Sequence, residues 1–568
     1  MVAGARTFSL EDTFLPSQVL NPPPTRHALF AFLLALAAVL HIGTAAWGDL
    51  YDGVEGQVAG GAREMLRSGK WLVPTNDGVP QLQTPPLLHW TVALSYKIFG
   101  VNPTAARLPI ALAMMGSLAL TFLIGERLAG YWRGFGAGLI FLCSGGTFVL
   151  GRLVAPDNLL SLFIAAAMYC AVCGYQRRKF RRAWFAGFWI SAALAVLAKG
   201  PAALLLLAGV AGILSILFRE ARMRFVGLLH WTNLLLFLAI VTPWFVWTHN
   251  QFPGFVADLF SAAADEPQPA RWRLLVLLCG WWFPGFFLIL PGLIFAPRKI
   301  LRPNEPAMAD ALPLCWIAVG LLGELLMADR RASGFMVMGP AFALFAACAW
   351  ERTSRTLRVA GVAFTLVLGL SVATTVWFGP AIIETFLARS LGDAAWFSLR
   401  PLAEIAAAAL FVSTLTAFFL VRQRGEVLLV LALAAMVPAG FCLIESGARA
   451  APFLSLADGA RYLNPRLGRS GEVVYEGPLR SGSSLSFYLE KKFFLLHQRP
   501  TAFEKDPASQ AKYLDEHYLL EAWDRSDPIY LIIDESRVAY WRQLIVQRVH
   551  IYHQVTTCGR RVVLSNQL

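Results

Sequence analysis

Asp52 and Glu55 occupy the richest of a set of polar breaks between long apolar segments, and each break on the same expected side carries an acid or a cation. Charged groups are costly to hold near lipid and by default mark a water-filled site, so the pattern points to a membrane enzyme. Carboxylates can take a proton from a reacting group, and arginines and lysines can hold an anion. Asp157 follows Pro156 at the start of a later apolar segment, and Lys199 stands in a three-residue turn between two such segments. Arg63, Arg152, Arg271 and Arg331 are further candidate cations in these breaks. Ordinary roles compete: Asp52, Glu55 and Asp157 can cap or begin helices, and the cations can snorkel to lipid headgroups.

The elements that position these residues follow from composition. Of the 568 residues, 57% are hydrophobic and 15% charged, and the mean hydropathy is +0.55, which excludes an ordinary soluble domain. Thirteen runs of bilayer-spanning length are expected, at about 27–47, 104–125, 134–150, 158–174, 183–198, 202–218, 226–247, 274–296, 311–327, 335–350, 359–378, 402–421 and 427–443. The first follows a polar tail through Pro22–Pro24 and reads as a retained helix.

Six basic clusters fall two crossings apart: Arg127 and Arg133; Arg177 to Arg182; Arg219, Arg222 and Arg224; Arg298, Lys299 and Arg302; Arg352, Arg355 and Arg358; Arg422 and Arg424. Short loops rich in Lys and Arg stay cytoplasmic, so these clusters share the cytoplasmic side with the tail 1–26. The loops 48–103, 151–157, 199–201, 248–273, 328–334 and 379–401 then face outward. The +13 net charge is an orientation signal, and no aromatic and basic platform for nucleic acid accompanies it. Seven of eight cysteines lie in or beside apolar segments, which leaves no outward disulfide framework; Cys170 and Cys173 read as packing residues and not as ligands.

The first outward loop is long. Its pattern predicts an amphipathic helix over 56–71 and, after Pro85 and Pro86, a second short helix, so that two interfacial helices over about 56–99 roof a cavity. Beyond the 27–443 membrane domain, residues 444–568 read as a small α/β domain, with strands expected at 472–475, 485–489 and 529–533 and helices at 508–523 and 538–547.

The stretch LYDGVEGQVAGGAREMLRSGKWLVPTNDGVPQLQTPPLLHW, with NPTAARLP after it, resembles the first outward loop of the GT-C glycosyltransferases. Among these it is most similar to the aminoarabinose (lipid A) transferase and protein mannosyltransferase-like group. RLVAPDNLLSLF, Lys199-Gly200-Pro201, Pro243-Trp244, Pro253-Gly254-Phe255 and Gly339-Pro340-Ala341 extend the resemblance over most of 27–350.

The resemblance implies a polytopic α-helical GT-C fold in a bacterial inner membrane and an inverting transfer on its periplasmic face. The donor is a polyprenyl-phosphate sugar and the acceptor a hydroxyl- or phosphate-bearing lipid, glycan or protein. A hydroxyl is a poor nucleophile at neutral pH, so a carboxylate must take its proton as it attacks the anomeric carbon. Counted back from Ala62-Arg63-Glu64, Glu55 takes the second place of the family's acidic pair and Val54 the first; Asp52 can supply the other carboxylate through a turn at Gly53. Asp157 matches the family's second-loop acid, and Lys199, Arg63, Arg152, Arg271 and Arg331 are the candidates for the leaving phosphate. Gln83-Thr84 replaces the Glu-Lys of close relatives, which removes two charges from the phosphate arrangement. No motif demands a cofactor, and the assistance of a divalent cation stays open. A lipid-linked sugar transporter and a non-catalytic GT-C relative are the competing readings, although no internal repeat of transporter type is visible.

Overall fold

The computed structural model describes residues 24–567 apart from 177–179, 257–258, 260–270, 284–307, 327–331, 353, 380, 382, 385–394, 422–432, 434–435, 501–502, 505–509 and 548–550. Helix α1 (Pro24–His41) leads into a loop that contains α2 (Val54–Ser68), a hairpin of β1 (Thr75–Asn76) and β2 (Val79–Pro80), and α3 (Leu87–Phe99). There follow α4 (Pro103–Ala129), α5 (Tyr131–Leu142), α6 (Gly145–Val149), α7 (Pro156–Gln176), α8 (Arg181–Lys199), α9 (Ala202–Leu217), α10 (Arg219–Phe225) and α11 (Trp231–Gln251). The later membrane-domain helices are α12 (Arg271–Trp281), α13 (Met308–Leu326), α14 (Gly339–Arg352), α15 (Arg355–Phe378), α16 (Ala395–Val421) and α17 (Met436–Leu454).

Among the described residues, six helices (α4, α7, α11, α13, α15 and α16) are long and apolar enough to cross a bilayer, and a seventh span arises if α5 and α6, bent by 59°, are taken together. The expected thirteen are not reproduced as a count. Helices α1, α9 and α14 are apolar but shorter, and the expected spans 274–296 and 427–443 lie partly outside the described residues.

Local chemistry sets the helix ends near the first loop. Asn102 caps α4 by accepting from the Ala105 N–H at 2.8 Å, and Pro103 fills the first helical position, where its missing N–H costs nothing. Helix α2 is more enclosed than its amphipathic pattern implies. A Cβ on Gly56 would meet Ser483 Oγ and Ser484 N at 2.6 Å, so the bare backbone at this position lets the C-terminal domain pack directly on the helix.

That domain begins with α18 (Ala457–Leu463). It continues through β3 (Glu472–Glu476), α19 (Leu485–Tyr488), β4 (Phe494–Leu496), β5 (Tyr513–Leu514), α20 (Glu516–Trp523), β6 (Ile529–Asp534), α21 (Val538–Gln547), β7 (His553–Cys558) and β8 (Arg561–Ser565). The sheet order is β5-β4-β3-β6-β8-β7; β5, β4, β3 and β6 are parallel, and β8 and β7 run antiparallel. Strand β6 is buried along five consecutive residues, as a strand covered on both faces must be. The expected strand at 485–489 is the short helix α19, because an apolar run of this length does not distinguish the two periods.

The two domains interleave. Val79 of the first-loop hairpin joins the core on one face of the C-terminal sheet, while Phe487 of the C-terminal domain joins the main core of the helical domain. A buried ion pair, Lys512 Nζ to Asp77 Oδ2 at 2.6 Å, fastens the hairpin tip to the sheet.

Candidate active site

Where α1 ends, the chain turns through Asp49 to Gly53 and places two acids in different surroundings. Gly53 has φ +89, a left-handed conformation that glycine adopts without a side-chain clash, and it separates the direction of Asp52 from that of α2. Glu55, in the first turn of α2, is 3% exposed. Its Oε1 accepts the Val154 N–H at 3.0 Å and its Oε2 accepts the Tyr51 N–H at 3.0 Å, while Arg107 Nη2 lies 3.5 Å from Oε2. The carboxylate thus pins the second loop to the first.

Arg107 is the residue that sequence reasoning passed over. Buried at the start of α4, it donates from Nη1 to the carbonyls of Trp47 at 2.9 Å and Gly48 at 2.7 Å and from Nη2 to that of Asp49 at 2.8 Å. Its signal was a charged residue inside NPTAARLP, at the opening of an apolar span. Arg152 also donates to the Trp47 carbonyl and reaches Ile444 O at 3.4 Å, so it belongs to the same knot. Asn158, next to Asp157, holds the second loop from its other end by donating to Leu150 O at 3.0 Å and Leu153 O at 2.9 Å.

Asp52 points the other way. Its backbone N–H donates to Leu454 O at 2.8 Å, and its Oδ1 accepts the Ser484 N–H at 2.8 Å. Burial raises its carboxyl to about 7, opposed by the hydrogen bonds from Ser484 and by the charge of Arg561. Ser483 Oγ accepts the Gly53 N–H at 2.9 Å and donates to Gly53 O at 3.0 Å, which locks this turn against the C-terminal domain. Asp52 lines a cavity of about 370 Å³ with Leu454, Ser455, Arg480, Ser481, Arg560 and Arg561.

Asp157, 2% exposed at the first turn of α7, forms an ion pair with Lys199 at the end of α8. The structure therefore joins the second-loop acid to the lysine of the three-residue turn. Arg63 is engaged elsewhere: its Nη1 donates to Phe487 O at 2.5 Å and Leu489 O at 2.8 Å, tying α2 to the C-terminal domain. The side chain of Arg271, which opens α12, and the whole of Arg331 lie outside the described residues. Among the described residues no group of three or more His, Cys, Asp or Glu side chains is placed to hold a metal ion.

The bundle with its first-loop helices and C-terminal sheet is matched almost from end to end in solved structures. Crystal structures of ArnT from Cupriavidus metallidurans, apo and bound to undecaprenyl phosphate, superpose with a TM-score of 0.80 over 95% of this chain and 98% of theirs, at 20% identity. The model of the dolichyl-phosphate-mannose-protein mannosyltransferase family matches residues 83–247. The chain is therefore a multi-pass membrane protein of the GT-C fold.

In sequence, it is 29% identical over 267 residues to the undecaprenyl phosphate-alpha-4-amino-4-deoxy-L-arabinose arabinosyl transferase of Shewanella sediminis, across 44% of this chain and 46% of that protein. It is 33% identical over 184 residues to an uncharacterized protein of Aquifex aeolicus, across 32% of this chain and 36% of the other. The chain thus matches less than half the length of these curated relatives. The chain thus has the fold of ArnT and, over part of its length, sequence similarity to aminoarabinose transferases.

Proposed function

We propose that the protein moves a sugar, with inversion, from a polyprenyl-phosphate donor of undecaprenyl type to a hydroxyl- or phosphate-bearing lipid, glycan or protein acceptor. The reaction takes place on the periplasmic face of a bacterial inner membrane, with the N-terminus cytoplasmic and the C-terminal domain periplasmic. The donor assignment is supported by relatives named for undecaprenyl-phosphate-linked aminoarabinose and by a fold neighbour bound to undecaprenyl phosphate.

The observation that carries the chemistry is the contrast at the first loop. Both oxygens of Glu55 are occupied by backbone N–H groups and Arg107, whereas Asp52 borders a cavity and titrates near neutrality. A base works best with a pKa close to the operating pH, so Asp52 is the general base and Glu55 the positioning residue. As the acceptor oxygen bonds to the anomeric carbon, its proton passes to Asp52 and the bond from that carbon to the phosphate oxygen breaks. Lys199, oriented by Asp157, stabilises the charge gained by the departing polyprenyl phosphate. Arg152 supports this end of the bundle through Trp47, and the knot of Arg107 and Glu55 keeps the two loops in register.

The test is turnover of a radiolabelled polyprenyl-phosphate sugar by the purified protein. Wild type is expected to release polyprenyl phosphate and label an acceptor, and Asp52→Asn to abolish transfer. Undiminished transfer in both Asp52→Asn and Glu55→Gln, or movement of intact donor across a bilayer without bond cleavage, would sink the reading.

A further inference from the structure

We propose that the cleft between the first loop and the C-terminal sheet is a binding site for an oxyanion, a phosphate or a carboxylate, carried by the acceptor. The topology places it. From β3 the sheet grows through β4 to β5 on one side, and β6 then lies on the other side of β3, so the strand order reverses between β3 and β6. Open α/β sheets receive ligands at such a reversal, in the crevice beyond the carboxyl ends of the strands. Strands β3 and β6 run in parallel with Tyr475 opposite Ile532, so their ends at Glu476 and Asp534 lie on the same edge.

Three arginines converge there from distant parts of the chain. Arg480 follows the end of β3, Arg560 lies in the turn before β8, and Arg561 opens β8, where it is paired with Asp534 at the end of β6. Arg561 stands 5.4 Å from the centre of the Tyr475 ring. Two carboxylates face this group. Asp534 accepts from Ser536 N at 3.1 Å and Ser536 Oγ at 2.8 Å, and Asp52 approaches from the first loop. Near neutral pH Asp52 is only partly ionised, so three guanidinium groups outweigh the acids and the cleft is cationic. Guanidinium is the side-chain group best matched to planar, bidentate contact with phosphate or carboxylate oxygens. The volume of about 370 Å³ lies within the range of small-ligand pockets.

The assignment to the acceptor rests on the transferase reading above. A donor phosphate held by its lipid would be met at Lys199, whereas this cleft adjoins the C-terminal sheet and has Asp52 on its wall. An acceptor anchored by an anionic group here would bring a neighbouring hydroxyl to the base.

Calorimetric titration of the full chain in phosphatidylcholine nanodiscs tests the site without turnover, with inorganic phosphate, a sugar 1-phosphate and the uncharged parent sugar as probes. Saturable binding of the two anions and none of the parent sugar is expected. Arg561→Gln and Arg480→Gln should each weaken binding by at least about tenfold, the loss of one charge-assisted contact. Arg525→Gln, on the exposed side of the same domain, should leave it unchanged. Arg561→Lys and a cooperative thermal transition keep the test valid where Arg561→Gln does not fold. Failure of wild type to bind either anion, or wild-type binding in the arginine variants, overturns the site. Phosphatidic acid added to the disc separates the sources: competition with soluble phosphate would assign the cleft to a bilayer headgroup and overturn the acceptor assignment. Anion binding without any sugar transfer would defeat the transferase reading, and with it the assignment to an acceptor, while leaving the anion site; transfer without anion binding would defeat this inference alone.

Discussion

Asp52 and Glu55 lie three residues apart in the first loop and occupy opposite environments. Around Glu55 both carboxylate oxygens meet partners: two backbone N–H groups and Arg107 surround the carboxylate, and the Nη atoms of Arg107 in turn donate to a run of carbonyls from Trp47 to Asp49, while its Nε stays buried without a partner among the described residues. Around Asp52, Ser484 supplies the hydrogen bonding at the carboxylate, its N–H donating to Oδ1 at 2.8 Å, and the carboxylate borders a cavity. A buried carboxylate with both oxygens hydrogen-bonded makes loop geometry rigid. A buried acid with few donors instead keeps its proton to near neutral pH and can exchange it with a substrate. In the proposed mechanism these two acids divide the work, with Glu55 setting the frame and Asp52 meeting the reactant.

The contrast breaks most sharply at Asp52. Asn keeps the acceptor for Ser484 but cannot take a proton, so Asp52→Asn should lower transfer by about 10²–10⁴-fold while leaving thermal unfolding close to wild type. Parallel rate and melting measurements check this. The next largest effect falls on the frame. Asp77→Asn strands Lys512 in a site where it is 6% exposed, and breaking such a buried pair should cost about 3–5 kcal/mol. The expected readout is earlier cleavage at the C-terminal domain in limited proteolysis and a lower melting temperature. Glu55→Gln retains the shape but loses the charge facing Arg107, so a smaller loss of about 1–3 kcal/mol in stability is expected. Its effect on transfer should track loss of loop order and should not mimic the proton-transfer defect of Asp52→Asn. A Glu55→Gln variant that folds as wild type yet shows the same rate and pH profile as Asp52→Asn would reverse the two roles.

How far the sequence carried this site depends on the distance over which each feature is encoded. The GT-C fold was legible because apolar spans and the first-loop motif are local patterns. The number of spans was less so, since short apolar helices such as α1, α9 and α14 fall below spanning length as they are built. Glu55 and Asp52 were found by their types, but what separates them was hidden: the partner of Glu55 is the backbone of Val154, and a backbone donor leaves no mark in side-chain pattern. The cluster of Arg480, Arg560 and Arg561 was invisible for a related reason, because only the pairing of β3 with β6 and of β6 with β8 brings 480 and 561 to one edge. Strands β4, β5 and β7 were likewise missed, being short or only partly buried, and β8 was missed although four of its five residues are buried. Lys199 and Asp157 were singled out separately, and the fold makes them one ion pair.

The most discriminating effect is the pH dependence of the wild-type protein. Asp52 titrates at about 7 when folded against an ordinary value of 3.8, so the folded state holds its proton more tightly than the unfolded chain. Its contribution to stability is then complete below about pH 4 and is lost as the pH rises through 7. Activity runs the other way, because only the ionised carboxylate can accept the proton of the acceptor. Transfer should rise about tenfold per pH unit below 7 and level off above it. The limb should vanish in Asp52→Asn, whose residual rate should be flat over the same range. Melting temperatures recorded across the same pH series should fall as the rate climbs in wild type, and that opposition should also disappear in Asp52→Asn. A rate limb that persists in the variant would move the titrating base to another residue, with Asp157 the next acid to change.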